Sequence, residues 1–525
     1  MDEREAIARL LKRAQARRAE RRQRNESDEA PPVCLHCGAE ACRFETLEPA
    51  QVFCAQRDCQ LGFHALLRLG VDPPVGGKRA LPVDDERVAD WDALPDDVLC
   101  LLLLQAFDWR LETEAQYDEL MIELVSVSQR FARVIRDCVV PQIHTLDPSV
   151  VRHRIRDNDA LARFRALRKL DLKPGWTEQL TPDVLAALPR LEWLAVRRTP
   201  ISAAQLARLP ATLGELYLLD VPDPGADPLR GLTHLHALTV TGAWVTDAVL
   251  LPLADSLKQL QFSRETQLTD LSRMSALAAV IALQSDQPYR GAGELAHSLV
   301  RLPNLISLRC AGTRNFLSSE ALSLLSRLRY LAISECRGTN NEAWLDTAAL
   351  LSLTKLETLR VNNMPELRAE HLANLRVLWK LEAHHSGVAF PANVRQADWA
   401  RRLGALRWLN MEASYLAGEG LLDLPHLLRL DASDSFVADL HLRNLTALTH
   451  LDLRGHSLVT VAGLRPLVAL AELDLRGNAG IDDPAMLNKP ALRLLRVNRF
   501  HGTSDAMRTE LRALGVTVID DDARQ

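Results

Sequence analysis

The sequence has 525 residues, 47% hydrophobic and 25% charged, and its 63 Lys and Arg against 68 Asp and Glu leave a net charge of -5. That balance fits a globular chain with room for roughly three or four domains and excludes a collagen-like, disordered or membrane-embedded one. The longest apolar run, within 98–107, is about half a membrane span, and charge begins at Asp2, so neither a spanning helix nor a secretion signal is expected.

Residues 4–24 carry nine Arg or Lys against the acids Glu5 and Glu20, on an alanine- and leucine-rich background. This composition predicts a basic helical or disordered tail over 1–32, closed by the polar linker 25–32. It has no aromatic side chain to stack on bases, so a nucleic-acid arm is the less expected reading.

Of nine cysteines, five fall within 26 residues, at Cys34, Cys37, Cys42, Cys54 and Cys59. A Cys-x-x-Cys knuckle followed by a second pair about twenty residues later suits a metal site in a reducing compartment better than a disulfide framework. We expect one structural zinc, tetrahedrally held by Cys34, Cys37, Cys54 and Cys59 in a module over 33–68, with Cys42 and His64 as substitute ligands. Gly38 permits the left-handed turn after the knuckle, and Phe53 can cover the metal. The segment resembles small treble-clef-like fingers ending in Phe-Cys-x-x-x-Cys-Gln, although here the second pair is one residue wider. The competing reading is a group of free thiols. A closed four-ligand site leaves no position for a reacting water, so no zinc catalysis is expected.

A linker rich in Pro and Gly over 69–90 leads to Trp91 and then Leu94-Pro95-Asp96-Asp97-Val98-Leu99. Proline in a first turn, followed by acids that oppose the helix dipole, predicts a helix N-terminus. Further helices are expected over about 114–126 and 128–138, the last containing Phe131. The region 91–147 resembles the F-box in its Leu-Pro opening, its Val98-Leu99-x-x-Leu102 and its Val125-Ser-Val127-Ser-Gln-Arg-Phe131. One departure is the acidic stretch 109–119, longer than the usual joint between the first two helices. The resemblance implies docking to a Skp-type adaptor, and thereby a cullin, through Leu94, Pro95, Val98, Leu99, Leu102 and Phe131. The plainer alternative is a helical cap on the array that follows.

Residues 148–525 are dominated by one pattern, Leu-x-x-Leu-x-Leu, clearest at Leu448-Thr-His-Leu451-Asp-Leu453 and Leu470-Ala-Glu-Leu473-Asp-Leu475. Its first leucine recurs sixteen times from Leu167 to Leu511, mostly 20 to 24 residues apart with three steps of 28. The period resembles leucine-rich repeats, each a short strand plus a return segment that cannot bury its apolar face alone. This implies an α/β leucine-rich-repeat solenoid of about 16 repeats, preceded by the small helical F-box-like domain and the zinc-finger module. The copy at Leu277 decays to Leu-Ala-Ala-Val-Ile-Ala, and that at Leu378 ends in Ala383. The family's asparagine survives only as Asn478, with Thr199, Ser414, Ser435 and others in its place.

Pattern leucines are expected inside, and the residues between them on the concave side. That face would offer Trp193, Tyr217, Tyr330, Arg360, Trp408, Asp431, Asp452 and Asp474 as target-binding residues, along an arc on the order of 70 Å. Arg454 and Arg476 would neutralise the column of aspartates. No glycine-rich nucleotide loop, Gly-x-Ser-x-Gly or His-Glu-x-x-His is present, so the chain is not expected to be an enzyme. The combined resemblance, shared with receptors carried by large DNA viruses, implies a non-catalytic substrate receptor of a cullin-RING ubiquitin ligase. It would be intracellular, in cytoplasm or nucleus, with an adaptor, a cullin and a target protein as partners, no membrane, and nucleic acid the less expected partner. A repeat scaffold without a ubiquitin role is the alternative.

Overall fold

A computed structural model describes most of residues 96–521, apart from 104–109, 112–116, 147–154, 173–181, 284–291, 312–316, 335–345, 386–401, 414–417, 479–488, 499–504 and shorter stretches. The tail, the Cys34, Cys37, Cys54 and Cys59 set with Cys42 and His64, and the adaptor residues Leu94, Pro95, Val98 and Leu102 lie outside the described residues. The chain forms two compact units, divided between Leu235 and His236.

In the first unit, Asp96, Leu99, Cys100 and Leu103 are helical. The helix α1, Gln129–Val134, runs on into a π-helical turn Ile135–Val139 and a 3-10 turn Val140–Gln142. Asp96 ties the two helical segments together, accepting from Arg130 Nε and Arg133 Nη2 at 2.9 Å each. These hydrogen bonds, first that of Arg130, hold its carboxyl below the usual aspartate value.

A parallel sheet begins inside this helical region. Strand β1, Arg110–Leu111, pairs with β2, Thr145–Leu146, and β2 with β3, Lys169–Leu172. The helix α2, Asn158–Ala162, lies between β2 and β3 in sequence. Strands β4, Trp193–Arg197, and β5, Glu215–Leu219, continue the sheet in sequence order. The acidic stretch 109–119, an excess on the F-box pattern, therefore supplies a strand. Between β4 and β5 the helix α3, Ala203–Leu206, is started by Ser202, whose backbone N–H and hydroxyl both bond Gln205 while its hydroxyl oxygen caps Gln205 N–H at 3.3 Å.

The second unit holds thirteen described strands: β6 Ala237–Val240, β7 Gln259–Phe262, β8 Ala279–Ala282, β9 Ser307–Ala311, β10 Tyr330–Ser334, β11 Thr358–Asn362, β12 Lys380–Glu382, β13 Trp408–Asn410, β14 Arg429–Asp431, β15 His450–Asp452, β16 Glu472–Asp474, β17 Leu494–Asn498 and β18 Thr517–Asp521. Each pairs in parallel with the next. Return segments are single turns of 3-10 helix or short helices: α4 Asp247–Leu250, α5 Ala292–Val300, α6 Ser319–Leu324, α7 Asp439–Leu442, α8 Val461–Leu464 and α9 Asp505–Ala513. With β3 to β18, all sixteen repeats possess their strand.

The pattern leucines form the core. Leu448, Leu451 and Leu453, like Leu470, Leu473 and Leu475, are buried, each contributing about 1.5–3 kcal/mol of transfer free energy. The decayed copy keeps the arrangement with smaller side chains, since Leu277, Val280 and Ala282 are all buried, as is Ala383. One leading residue is corrected. Leu511 is buried on α9, and the register Leu495↔Val518 puts Gly515, at φ +85°, in the leading position of β18. The terminal helix carries its own apolar stripe at the same spacing, which imitates the start of a repeat.

The inward asparagine position behaves as a backbone-satisfying device. Asn478 Nδ2 donates to Leu453 O of the preceding repeat and to Leu475 O at 3.3 Å. At the equivalent place Thr199 Oγ1 donates to Arg197 O at 3.0 Å, and Ser435 Oγ to Ala432 O. Lys489 does similar work by another route. Its Nζ, buried and pushed down in pKa by that burial, donates to Leu464 O at 2.6 Å and Leu467 O at 3.1 Å. Replacing Asn478 by alanine strands the carbonyl of Leu453, while Leu475 O keeps the backbone N–H of residue 478 at 3.0 Å, and is expected to destabilise the second unit by about 1–3 kcal/mol. Denaturant unfolding of the full chain measures this, and a midpoint equal to wild type would contradict it.

Candidate recognition surface

Strand residues that alternate with the inward leucines form columns across the open face of the sheet. In the second unit the register aligns Arg360, Glu382, Asn410, Asp431, Asp452, Asp474 and Arg496 on successive strands β11 to β17. A parallel column aligns Tyr330, Thr358, Lys380, Trp408, Arg429, His450 and Glu472. The sites expected from sequence at Tyr330, Arg360, Trp408, Asp431, Asp452 and Asp474 thus share one face. Trp193 and Tyr217 belong to the first unit, where their half-buried rings meet with centroids 5.1 Å apart.

Glu382 is the hub of the first half of this face. It is only 6% exposed, yet it accepts from both nitrogens of the Arg360 fork and from Lys380 Nζ at 2.9 Å. Burial pushes its carboxyl up, but the Arg360 and Lys380 hydrogen bonds outweigh burial and leave it below the ordinary glutamate value. Lys380 also sits 2.9 Å from the Trp408 ring centroid, and Arg429 lies over the same ring at 5.5 Å. The cations come from the two strands flanking Trp408, so this indole is already engaged by its own chain and is not a bare aromatic anchor.

Asp431, Asp452 and Asp474 stand in direct register on adjacent strands. Each accepts from the backbone N–H two residues on, Ser433 at 3.2 Å, Arg454 at 3.0 Å and Arg476 at 3.1 Å. Asn410, one strand earlier, does the same with Glu412 at 3.0 Å. This Asx turn ends each strand. Arg454 Nε lies 2.8 Å from Asp452, and Arg476 Nη2 lies 2.7 Å from Asp474. Arg454 also reaches Asp474 at 4.0 Å, across two repeats. For Asp452, burial raises the pKa, the Arg454 hydrogen bonds oppose this, and the charges of Asp431 and Asp474 add to the rise.

A shallow depression over these strands is lined by the aspartates together with Arg429, His450, Glu472 and Arg496. Sequence reading missed Glu382 and Lys380. The signal was available, since both flank Leu381 at the spacing that places Arg360 and Trp408 on the open face. Among the described residues no group of three His, Cys, Asp or Glu is placed to hold a metal.

No protein-family profile matches this sequence. No curated protein matches it either. Among solved structures, an internalin from Listeria monocytogenes is similar over 67% of this chain and 92% of its own, at 18% identity and a TM-score of 0.41. A complex of TLR13 with the RNA ssRNA13 is similar over 68% of this chain and 59% of its own, at 18% identity and a TM-score of 0.48. The parallel register and the buried pattern leucines of this chain carry its leucine-rich-repeat fold.

Proposed function

We propose that this chain is a non-catalytic recognition protein whose repeats capture a target protein, and that its helical region makes it the substrate receptor of a cullin-based ubiquitin ligase. The observation supporting recognition is the continuous register of charged side chains and one amide, Asn410, from Arg360 to Arg496 on the open face. Aspartates that hold a neighbour's N–H and still present carboxylate in a depression suit a basic segment of the target. The F-box resemblance supports adaptor docking, and the Asp96 pairs with Arg130 and Arg133 join two of the helical segments that the resemblance covers. Leu99 and Phe131 are each 1% exposed, so they pack the helices and do not touch an adaptor directly; the contact would fall to Leu94, Pro95, Val98 and Leu102. The zinc module and an intracellular, reducing location belong to the same reading. A second reading is favoured by β1, which makes the helical region part of the sheet and hence an end cap of a plain recognition scaffold.

Two variants separate the readings. Leu94→Ala with Pro95→Ala is expected to abolish capture of a purified Skp-type adaptor while the circular dichroism of the repeats is kept. Wild type that captures no adaptor would leave only the scaffold. Changing Asp431, Asp452 and Asp474 to Asn is expected to weaken target capture and flatten its salt dependence, with the fold retained. Asn410 already makes the same turn as an amide, and asparagine keeps the shape and one acceptor oxygen at half-buried Asp431 and Asp452 and at Asp474, which is 6% exposed. Target capture unchanged across a salt titration would remove this face from the reading.

A further inference from the structure

The residues immediately before the strands form a third column, joined by backbone hydrogen bonds. Arg407 N–H donates to Trp379 O, and Leu428 N–H to Arg407 O, both at 2.8 Å. Trp379, Arg407 and Leu428 therefore lie side by side on the approaches to β12, β13 and β14, about 4.8 Å per step. In contrast to Trp408, the Trp379 side chain is open, being 45% exposed; Leu428 is 43% and Val377 47% exposed. Apolar side chains that large, grouped on one rim, mark an interaction site when nothing covers them.

The charged side chains next to the group are arginines, and acids come near only at Arg429, which also borders the aspartate depression. Arg407 Nη1 is held by Gly404 O at 2.9 Å and Leu406 O at 3.0 Å, which fixes its guanidinium on the approach to β13 while leaving its charge without a carboxylate among the described residues. Arg429, on the adjoining strand and exposed, has the Trp408 ring as its neighbour. Arg376, exposed, directly precedes Val377. The nearest acid on the same column, Glu357, is already paired with Arg329 at 3.2 Å. Indole and guanidinium groups are among the types that dominate binding energy at protein interfaces.

The geometry points to a docking site on the rim of strands β12 to β14 for a protein segment that carries a large apolar side chain next to carboxylates. Trp379, Leu428 and Val377 receive the apolar side chain, and Arg407, Arg429 and Arg376 the carboxylates. The inference rests on the repeats being a recognition surface, but it places a partner of opposite charge from the basic segment assigned to the aspartate column.

The test is selection of a random displayed peptide library on the full chain, followed by affinity measurement of synthetic winners. Winners are expected to place Asp or Glu beside Leu, Phe or Trp. Their affinity should fall about tenfold or more for Trp379→Ala and for Arg429→Glu, and stay the same for the triple aspartate-to-asparagine variant. Both rim positions are exposed, and matched melting curves establish that the variants fold. Leu428→Ser gives a third, independent reduction. Winners indifferent to the rim variants overturn the proposal. Basic winners lost only in the aspartate variant overturn it while leaving the target face of the proposed function intact. Winners displaced by a thymidine oligonucleotide that itself binds in a Trp379-dependent way would assign the rim to single-stranded nucleic acid and overturn it as well.

Discussion

Glu382→Ala is expected to destabilise the second unit by about 3 kcal/mol, the scale on which removing one member of a buried ion pair leaves its partners uncompensated. The side chain is 8% exposed and serves two cations at once. Its loss leaves Lys380, whose side chain is 17% exposed, with no carboxylate, and frees Arg360 from its fork. Glu382→Gln keeps the shape and one acceptor oxygen and should cost less. The pH dependence has a definite sign. Because the folded carboxyl lies below the ordinary glutamate value, its contribution is present above that value and is lost as pH falls through the lower folded one. Denaturant midpoints of wild type and variant should therefore converge on acidification below about pH 4. Equal midpoints at pH 7 would show that the cations are adequately solvated without the carboxylate.

Cys34→Ser with Cys37→Ser is expected to remove one equivalent of bound zinc and the order of the segment 33–68. For so small a module, metal-binding free energy of about 10 kcal/mol or more is folding free energy. Metal analysis of the purified chain, before and after chelation, measures the stoichiometry. Wild type that holds no zinc refutes the site. One equivalent retained after both substitutions would move the ligands towards Cys42 and His64.

The repeat array was legible because its signal is redundant. Leucine at three positions per repeat sets a spacing that survives the decayed copies, where Val280, Ala282 and Ala383 still fill the inward positions. The alternation that exposes the intervening side chains was equally plain, and it placed Asp431, Asp452 and Asp474 in one column. What those side chains touch was not legible. Whether Trp408 is bare depends on Lys380 and Arg429 reaching over it from neighbouring repeats, 28 and 21 residues away in sequence. The backbone role of the aspartates depends on the turn conformation after each strand. Likewise β1 spans only two residues and carries too little pattern to announce a strand, and Leu511 imitates a repeat because a helix can present an inward leucine too.

Three polar links near the end of the array each cross a repeat boundary. Asn478 reaches back to Leu453, Lys489 to Leu464 and Leu467, and Arg454 forward to Asp474. Stacked repeats joined only by apolar contact can fray one at a time from an end, because each neighbour interface is a separate free-energy increment. Here, peeling away the last repeats also uncovers buried carbonyls and breaks a shared guanidinium contact, so opening any one of them raises the free energy of its neighbour. The repeats of β15 and β16 are consequently expected to open as a single cooperative unit, with amide hydrogens that exchange together and not in a gradient towards the terminus.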